Sequence, residues 1–117
     1  MKILLLRFSS IGDIVLTTPI IRCIKKQIPH AEVYYITKDK FTSLLQHNPY
    51  IDHLYGFADG EESQAIQKLK GLSLDLVIDL HKNTRTKRIK SQLGILSYSF
   101  NKLNIQKWLF VNFASSN

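Results

Sequence analysis

The sequence holds a single cysteine, Cys23. With no second thiol, an internal disulfide, a cysteine zinc knuckle and a redox pair are excluded, and a reducing, cytoplasmic compartment is the expectation. Long apolar runs are missing too. The first, Ile3 to Leu6, is stopped by Arg7. That is short of a signal-peptide core of about 7 to 15 residues and of a membrane span of about 20, so neither is expected. Neither G-x-G-x-x-G nor G-x-x-x-x-G-K-[ST] occurs, which removes the dinucleotide and P-loop readings at the residues that would carry them. Acid is absent from the last third. Residues through Asp79 carry nine basic and nine acidic side chains, whereas Lys82, Arg85, Lys87, Arg88, Lys90, Lys102 and Lys107 follow with no acid among them. The whole net charge of +7 therefore sits after Asp79. Such a field concentrates anions (phosphates, sugar carboxylates, nucleic acid or an acidic membrane surface) without choosing among them, and a solvated helix face is its plain alternative.

The 117 residues suit one domain, given the usual range of roughly 100 to 200 residues each. Hydrophobic residues make up 44% and charged ones 21%, the balance of a folded globular chain rather than a disordered one. Lys2 to Arg7 reads as a strand buried on both faces, central in a parallel sheet. A small-residue turn follows. From Asp13, Ile14, Ile20, Ile21, Ile24 and Ile28 recur at helical spacing as far as Pro29, with Pro19 expected to kink that helix. Glu32 to Ile36 reads as a second strand, Phe41 to Gln46 as a short helix ending ahead of Pro49, and Asp52 to Phe57 as a third strand. Ala65, Ile66 and Leu69 form a helical stripe before Gly71, with Glu61 and Glu62 at its start. Asp75 to Leu80 is a fourth strand. Thr84 to Leu93 is a helix with Ile89 and Leu93 inward, ended by Gly94, and Ile95 to Phe100 is a fifth strand. Strands separated by helices predict an α/β, Rossmann-like, doubly wound and mainly parallel sheet. The apolar stretch Leu103 to Phe113, with Trp108, calls for a surface to pack on: its own sheet or a missing partner.

In such a sheet, ligands bind at the carboxyl ends of the strands, where strand order reverses. Two loops qualify: Phe8-Ser9-Ser10-Ile11-Gly12-Asp13 and His81-Lys82-Asn83-Thr84-Arg85. Gly12 permits close backbone approach, and the first helical turn offers N–H groups to an anion. Asp13 is suited to cap that helix, and the same N–H groups would keep its carboxylate ionised, as a general base requires. Capping and base catalysis are compatible.

Met1 to Pro19, with its strand, Ser9-Ser10-Ile11-Gly12-Asp13 and Val15-Leu16-Thr17-Thr18-Pro19, resembles the opening of glycosyltransferase family 9, the ADP-heptose:lipopolysaccharide heptosyltransferases. The resemblance extends through Val33 to Ile36, Asn48-Pro49-Tyr50-Ile51-Asp52, Leu74-Asp75-Leu76-Val77-Ile78-Asp79-Leu80-His81 and Arg85. It implies the N-terminal, acceptor-side domain of a two-domain GT-B enzyme over residues 1–117, truncated before the C-terminal nucleotide-sugar domain and not competent alone. It further implies Asp13 as the base that deprotonates the acceptor hydroxyl for inverting displacement, with Ser9, Ser10 and Gly12 shaping the loop. The donor would be a nucleotide sugar of ADP-heptose type, bound through the missing domain. No cofactor and no metal are implied. The acceptor would be the lipopolysaccharide inner core, whose phosphates and carboxylates Lys82, Arg85 and Arg88 could meet. The setting would be cytoplasmic, with peripheral contact at the inner membrane.

The other polar residues are read from their positions. His30, His47 and His53 are scattered across turns with no ligand-spaced partner, so metal binding is not expected. His81 lies in the right loop, either to orient the acceptor or donate to a phosphate, or to close its strand by bonding backbone. Cys23, among Ile20, Ile21 and Ile24, is expected as a buried small hydrophobe. Tyr34, Tyr35 and Trp108 are expected in core or interdomain packing. The competing function is a small basic module binding nucleic acid or other anions through Lys82 to Lys90, without catalysis. It lacks aromatic interleaving and any RNA-recognition or helix-turn-helix pattern, so nucleic acid is not the expected partner.

Overall fold

The computed structural model describes residues 1–99, together with 107 and 111. Among the described residues, five strands form one sheet: β1 (Lys2–Leu6), β2 (Glu32–Lys38), β3 (His53–Phe57), β4 (Leu76–Asp79) and β5 (Ser97–Ser99). Every pairing is parallel, in the order β3-β2-β1-β4-β5. The helices between them are α1 (Ile11–Leu16), α2 (Thr18–Gln27), a 3-10 helix (Asp39–Leu44), α3 (Glu62–Lys70) and α4 (Thr84–Leu93). From β1 the chain winds outward through β2 to β3, then returns to the other side of β1 for β4 and β5. The reversal falls between β1 and β4, which is where a doubly wound sheet opens a crevice at its carboxyl edge.

The sequence of β1 explains its central place. Ile3 to Leu6 are all fully buried, and alternate residues feed two cores. Leu4 and Leu6 join Tyr34, Ile36, Val77 and Phe8 beneath Ile66 and Leu69 of α3 and Ile89 of α4. Leu5 joins Val33, Tyr35 and Leu80 beneath Ile14 of α1 and Ile20 and Ile21 of α2. Helices thus cover both faces, as a parallel sheet requires. Tyr34 and Tyr35 both lie in the core, as expected.

Several boundaries differ from the sequence reading. The helix expected as one kinked piece is two, meeting at Thr17 and Thr18. Pro19 sits in the first turn of α2, where its missing N–H has no helical acceptor to lose. The buried Thr17 hydroxyl closes the junction, donating to Ile14 O at 2.6 Å and lying 2.9 Å from Tyr35 Oη. The short helix expected over Phe41 to Gln46 is the 3-10 turn beginning at Asp39. Cys23 is half-buried rather than buried, because α2 turns Ile20 and Ile21 to the sheet and leaves Cys23 at their flank. β5 starts later than expected, at Ser97 rather than Ile95, after the left-handed Gly94 that caps α4. Phe100, Trp108 and the stretch Leu103 to Phe113, apart from Lys107 and Val111, lie outside the described residues. Among the described residues no helix is long and apolar enough to cross a membrane.

Candidate active site

The carboxyl ends of β1 and β4 meet at the strand-order reversal, and both loops singled out in the sequence leave from there. Arg7 directly follows β1 and is buried, with its side chain only 10% exposed. Its Nη2 lies 2.8 Å from Asp13 Oδ2, and its Nη1 donates to Leu80 O at 2.7 Å. Asp13 occupies the first turn of α1, where a negative charge complements the helix dipole, and its side chain is 17% exposed. Ser10 Oγ donates to the same carboxylate at 3.0 Å. Asp13 is therefore at the strand tips and reachable from outside, held by a guanidinium and a hydroxyl. Gly12 is exposed, and a Cβ added there would meet nothing within 4 Å. No contact among the described residues requires the glycine, and the space before it is open.

The second loop is organised by Asp79, the last residue of β4. Its side chain is fully buried. Oδ1 accepts the backbone N–H of His81 at 3.0 Å and of Lys82 at 2.8 Å, while Lys90 Nζ lies 3.0 Å from Oδ2. Burial alone would raise its pKa. The N–H of Lys82, the Thr86 hydroxyl, Lys90 and the N–H of His81 outweigh that and hold the carboxyl below its usual range. Collecting two successive N–H groups on one oxygen bends the chain tightly, and Lys82 takes a left-handed φ of 52° to allow it. Asn83 then caps α4 by a reciprocal pair: its side chain accepts Thr86 N–H at 2.9 Å, and its own N–H donates to Thr86 Oγ1 at 3.0 Å.

His81 joins the two loops. Its Nδ1 accepts the Phe8 N–H at 3.3 Å, and its ring lies against Phe8 with centroids 5.4 Å apart. Burial, then the nearby Arg7 charge, lowers its pKa against the opposing pull of Asp79. Of the two roles open in the sequence, backbone bonding is the one seen in the structure.

Beside these loops opens a cleft of about 570 Å³ lined by Phe8, Ser9, Lys38, Glu62, His81, Asn83, Thr84, Arg85 and Arg88. Ser9, His81, Arg85 and Arg88 are thus brought together on one wall system. Ser10, Gly12 and Asp13 stand on the adjoining turn rather than in the lining, and Lys82 is exposed outside it. Arg85 is partly committed, its Nε 2.6 Å from Glu62 Oε1, whereas Arg88 is exposed.

Sequence reasoning missed Arg7 and Lys38 as site residues and gave Asp79 no task. A common signal marks all three: each is a charged residue at the carboxyl end of a strand whose preceding residues are mostly apolar. Among the described residues, no group of three or more His, Cys, Asp or Glu side chains is placed to hold a metal ion.

No protein-family model matches the chain. Lipopolysaccharide heptosyltransferase 1 of Campylobacter coli is 27% identical over 119 residues, covering 97% of this chain and 34% of that protein. The glycosyl transferase family 9 structure from Veillonella parvula matches with a TM-score of 0.72 at 25% identity, over 86% of this chain and 32% of its own. E. coli ADP-heptose lps heptosyltransferase II matches in fold, with a TM-score of 0.73 at 20% identity, over 86% of this chain and 30% of its own. The chain spans about a third of the length of these relatives. It is similar to family 9 heptosyltransferases over nearly its whole length, and its α/β Rossmann-like sheet is the one the sequence predicts.

Proposed function

We propose that this chain forms the acceptor-side lobe of a heptosyltransferase-like, inverting glycosyltransferase. The single observation that carries the reading is Asp13: a reachable carboxylate beside the tip of the central strand, oriented by Arg7 and Ser10, in a chain similar to heptosyltransferases over nearly its whole length. In this reading Asp13 takes the proton from an acceptor hydroxyl as that oxygen attacks the anomeric carbon of the donor sugar. The nucleotide leaves from the opposite face, inverting the configuration. Arg7 and Ser10 hold the carboxylate through Oδ2 so that it meets the hydroxyl in a fixed direction.

The acceptor is an anionic glycolipid of lipopolysaccharide inner-core type. Arg88, Lys38, Arg85 and the exposed Lys82 supply positive charge around the cleft for its phosphates and carboxylates, and Ser9 and His81 offer hydrogen bonds. Gly12 leaves room for the substrate before α1. The donor, a nucleotide sugar of ADP-heptose type, is held by a second lobe beyond the third of the enzyme represented here, and the reaction needs no metal. The setting is the cytoplasmic face of the inner membrane, where the basic surface meets acidic headgroups.

The test is sugar transfer from ADP-heptose to a lipopolysaccharide inner-core acceptor, measured for this chain alone and for the chain joined to a family 9 C-terminal lobe. Transfer is expected only in the joined form, and activity of the short chain would refute the need for a second lobe. In the joined form, Asp13→Asn is expected to lower kcat by about 100-fold or more while leaving acceptor binding nearly unchanged. Unaltered turnover would remove Asp13 as the base.

A further inference from the structure

Arg7 and His81 tie the β1–α1 loop to the β4–α4 loop in different ways. The Arg7 guanidinium reaches Leu80 O with one nitrogen and Asp13 with another. The Phe8 N–H to His81 Nδ1 bond depends on a ring nitrogen that carries no proton. A ring nitrogen that accepts from an amide carries no proton, so the neutral imidazole has its proton on Nε2. Protonation at Nδ1 would set two N–H groups against each other at the Phe8 contact. The charged groups around the ring are Arg7 and Asp13 from the β1–α1 side, Asp79 from β4 and Arg85 from α4. Burial and the two arginines disfavour a second proton, the two aspartates favour it, and the first set prevails.

We propose that His81 is a positioning residue for Asp13: its neutral ring, bonded through Nδ1 to the Phe8 amide, latches the β1–α1 loop to the β4–α4 loop, leaves Nε2–H as the donor offered to the cleft, and releases the latch in acid. Only the use of that donor by an acceptor rests on the transferase reading; the latch itself does not. Its place in the chain makes the coupling direct, because Phe8 lies between Arg7 and Ser10, both of which hold the Asp13 carboxylate.

The experiment uses the 117-residue chain, labelled with 15N, and long-range 1H–15N spectra of its imidazole rings. At pH 8 His81 is expected as the Nε2–H tautomer, and on acidification the Phe8 amide resonance should move with the same midpoint as the His81 ring. An Nδ1–H tautomer, or a Phe8 amide that stays still while the ring titrates, would overturn the proposal. His81→Asn places an amide oxygen near the Nδ1 position and should keep the Phe8 amide shift while abolishing its titration. His81→Phe keeps ring bulk without an acceptor and should lose the shift; a Phe8 amide unchanged in that variant also overturns the latch. The wild-type titration stands whether or not the variants fold. None of these readouts needs sugar transfer, so failure of the latch and failure of the transferase reading are separately visible.

Discussion

At the amino end of the sheet, Lys25 Nζ lies 2.6 Å from Asp52 Oδ2, which also accepts Val33 N–H at 2.7 Å, and His53 Nε2 lies 3.4 Å from Glu32 Oε2 with both side chains near half exposed. Asp75 takes the Lys2 N–H at 2.8 Å. At the carboxyl end the chemistry is the same but the surroundings are not: Asp79 is wholly buried against Lys90, and Arg7 is nearly so against Asp13. Among the described residues, Arg7 Nε moreover has no hydrogen-bond partner, although it is buried. The His53–Glu32 pair is about half exposed and the Lys25–Asp52 pair partly so, and such pairs cost less to desolvate than buried ones. Buried ions carry a desolvation penalty that an apolar pair would avoid, and here they organise the two loops around the cleft. Buried charge thus shapes the two loops at the carboxyl end, while partly exposed pairs sit at the strand starts of the amino end.

The contrast is most exposed to test at Asp79. Asp79→Ala strands the Lys90 ammonium and two loop N–H groups, so a loss of about 3 to 5 kcal/mol is expected in urea unfolding. A loss under about 1 kcal/mol would show that the buried pair is dispensable. Arg7→Met keeps much of the stem but removes two charge-assisted bonds, with an expected cost of about 2 kcal/mol in the same measurement.

Acid should act on the carboxyl end in two stages. The His81 pKa is lowered from its ordinary 6.5 in the fold, so the stability it contributes is present above that value. It declines as pH falls through the lower folded value, because the unfolded chain takes the proton first. The Asp79 pKa is lowered from 3.8, so its contribution is present above 3.8 and is lost only as pH falls through its own lower folded value. Urea midpoints measured from pH 8 to pH 3 should therefore fall first in the histidine range, and His81→Asn should flatten that first step. A first step unchanged in that variant would assign it to another group. The smallest effect belongs to the amino end: Glu32→Gln, in a half-exposed pair, should shift stability by no more than about 0.5 kcal/mol. A larger loss there would erase the distinction between the two ends.

Much of the fold is legible along the chain because its signals are local. The uninterrupted apolar β1, the stripe of Ala65, Ile66 and Leu69, and Gly94 ending α4 each specify an element through its own period or cap. Pro19 misled on continuity, since a proline inside a helical pattern looks the same whether it kinks one helix or opens a second. The choice was made by Thr17, whose hydroxyl bonds Ile14 O and the distant Tyr35. Asp13 was legible because loop and helix start are contiguous. Arg7 and Lys38 were not, since Leu80 and the cleft neighbours lie far along the chain; the partners of Asp79 are close in sequence, but the turn that folds His81 and Lys82 back onto it has no glycine or proline to mark it.

The sequence by itself determined the alternation of strands and helices, the two loops that carry polar chemistry, and the confinement of excess positive charge to the last third. These follow from composition and from periods of two and 3.6 residues, which act over a few neighbours. Tertiary structure decided which charges are buried, which carboxylate faces outward, and that an imidazole bridges the two loops. The burial of Arg7 against Leu80 O and the imidazole bridge depend on contacts across β1 and β4, made between residues more than sixty positions apart, and no local period encodes such a contact.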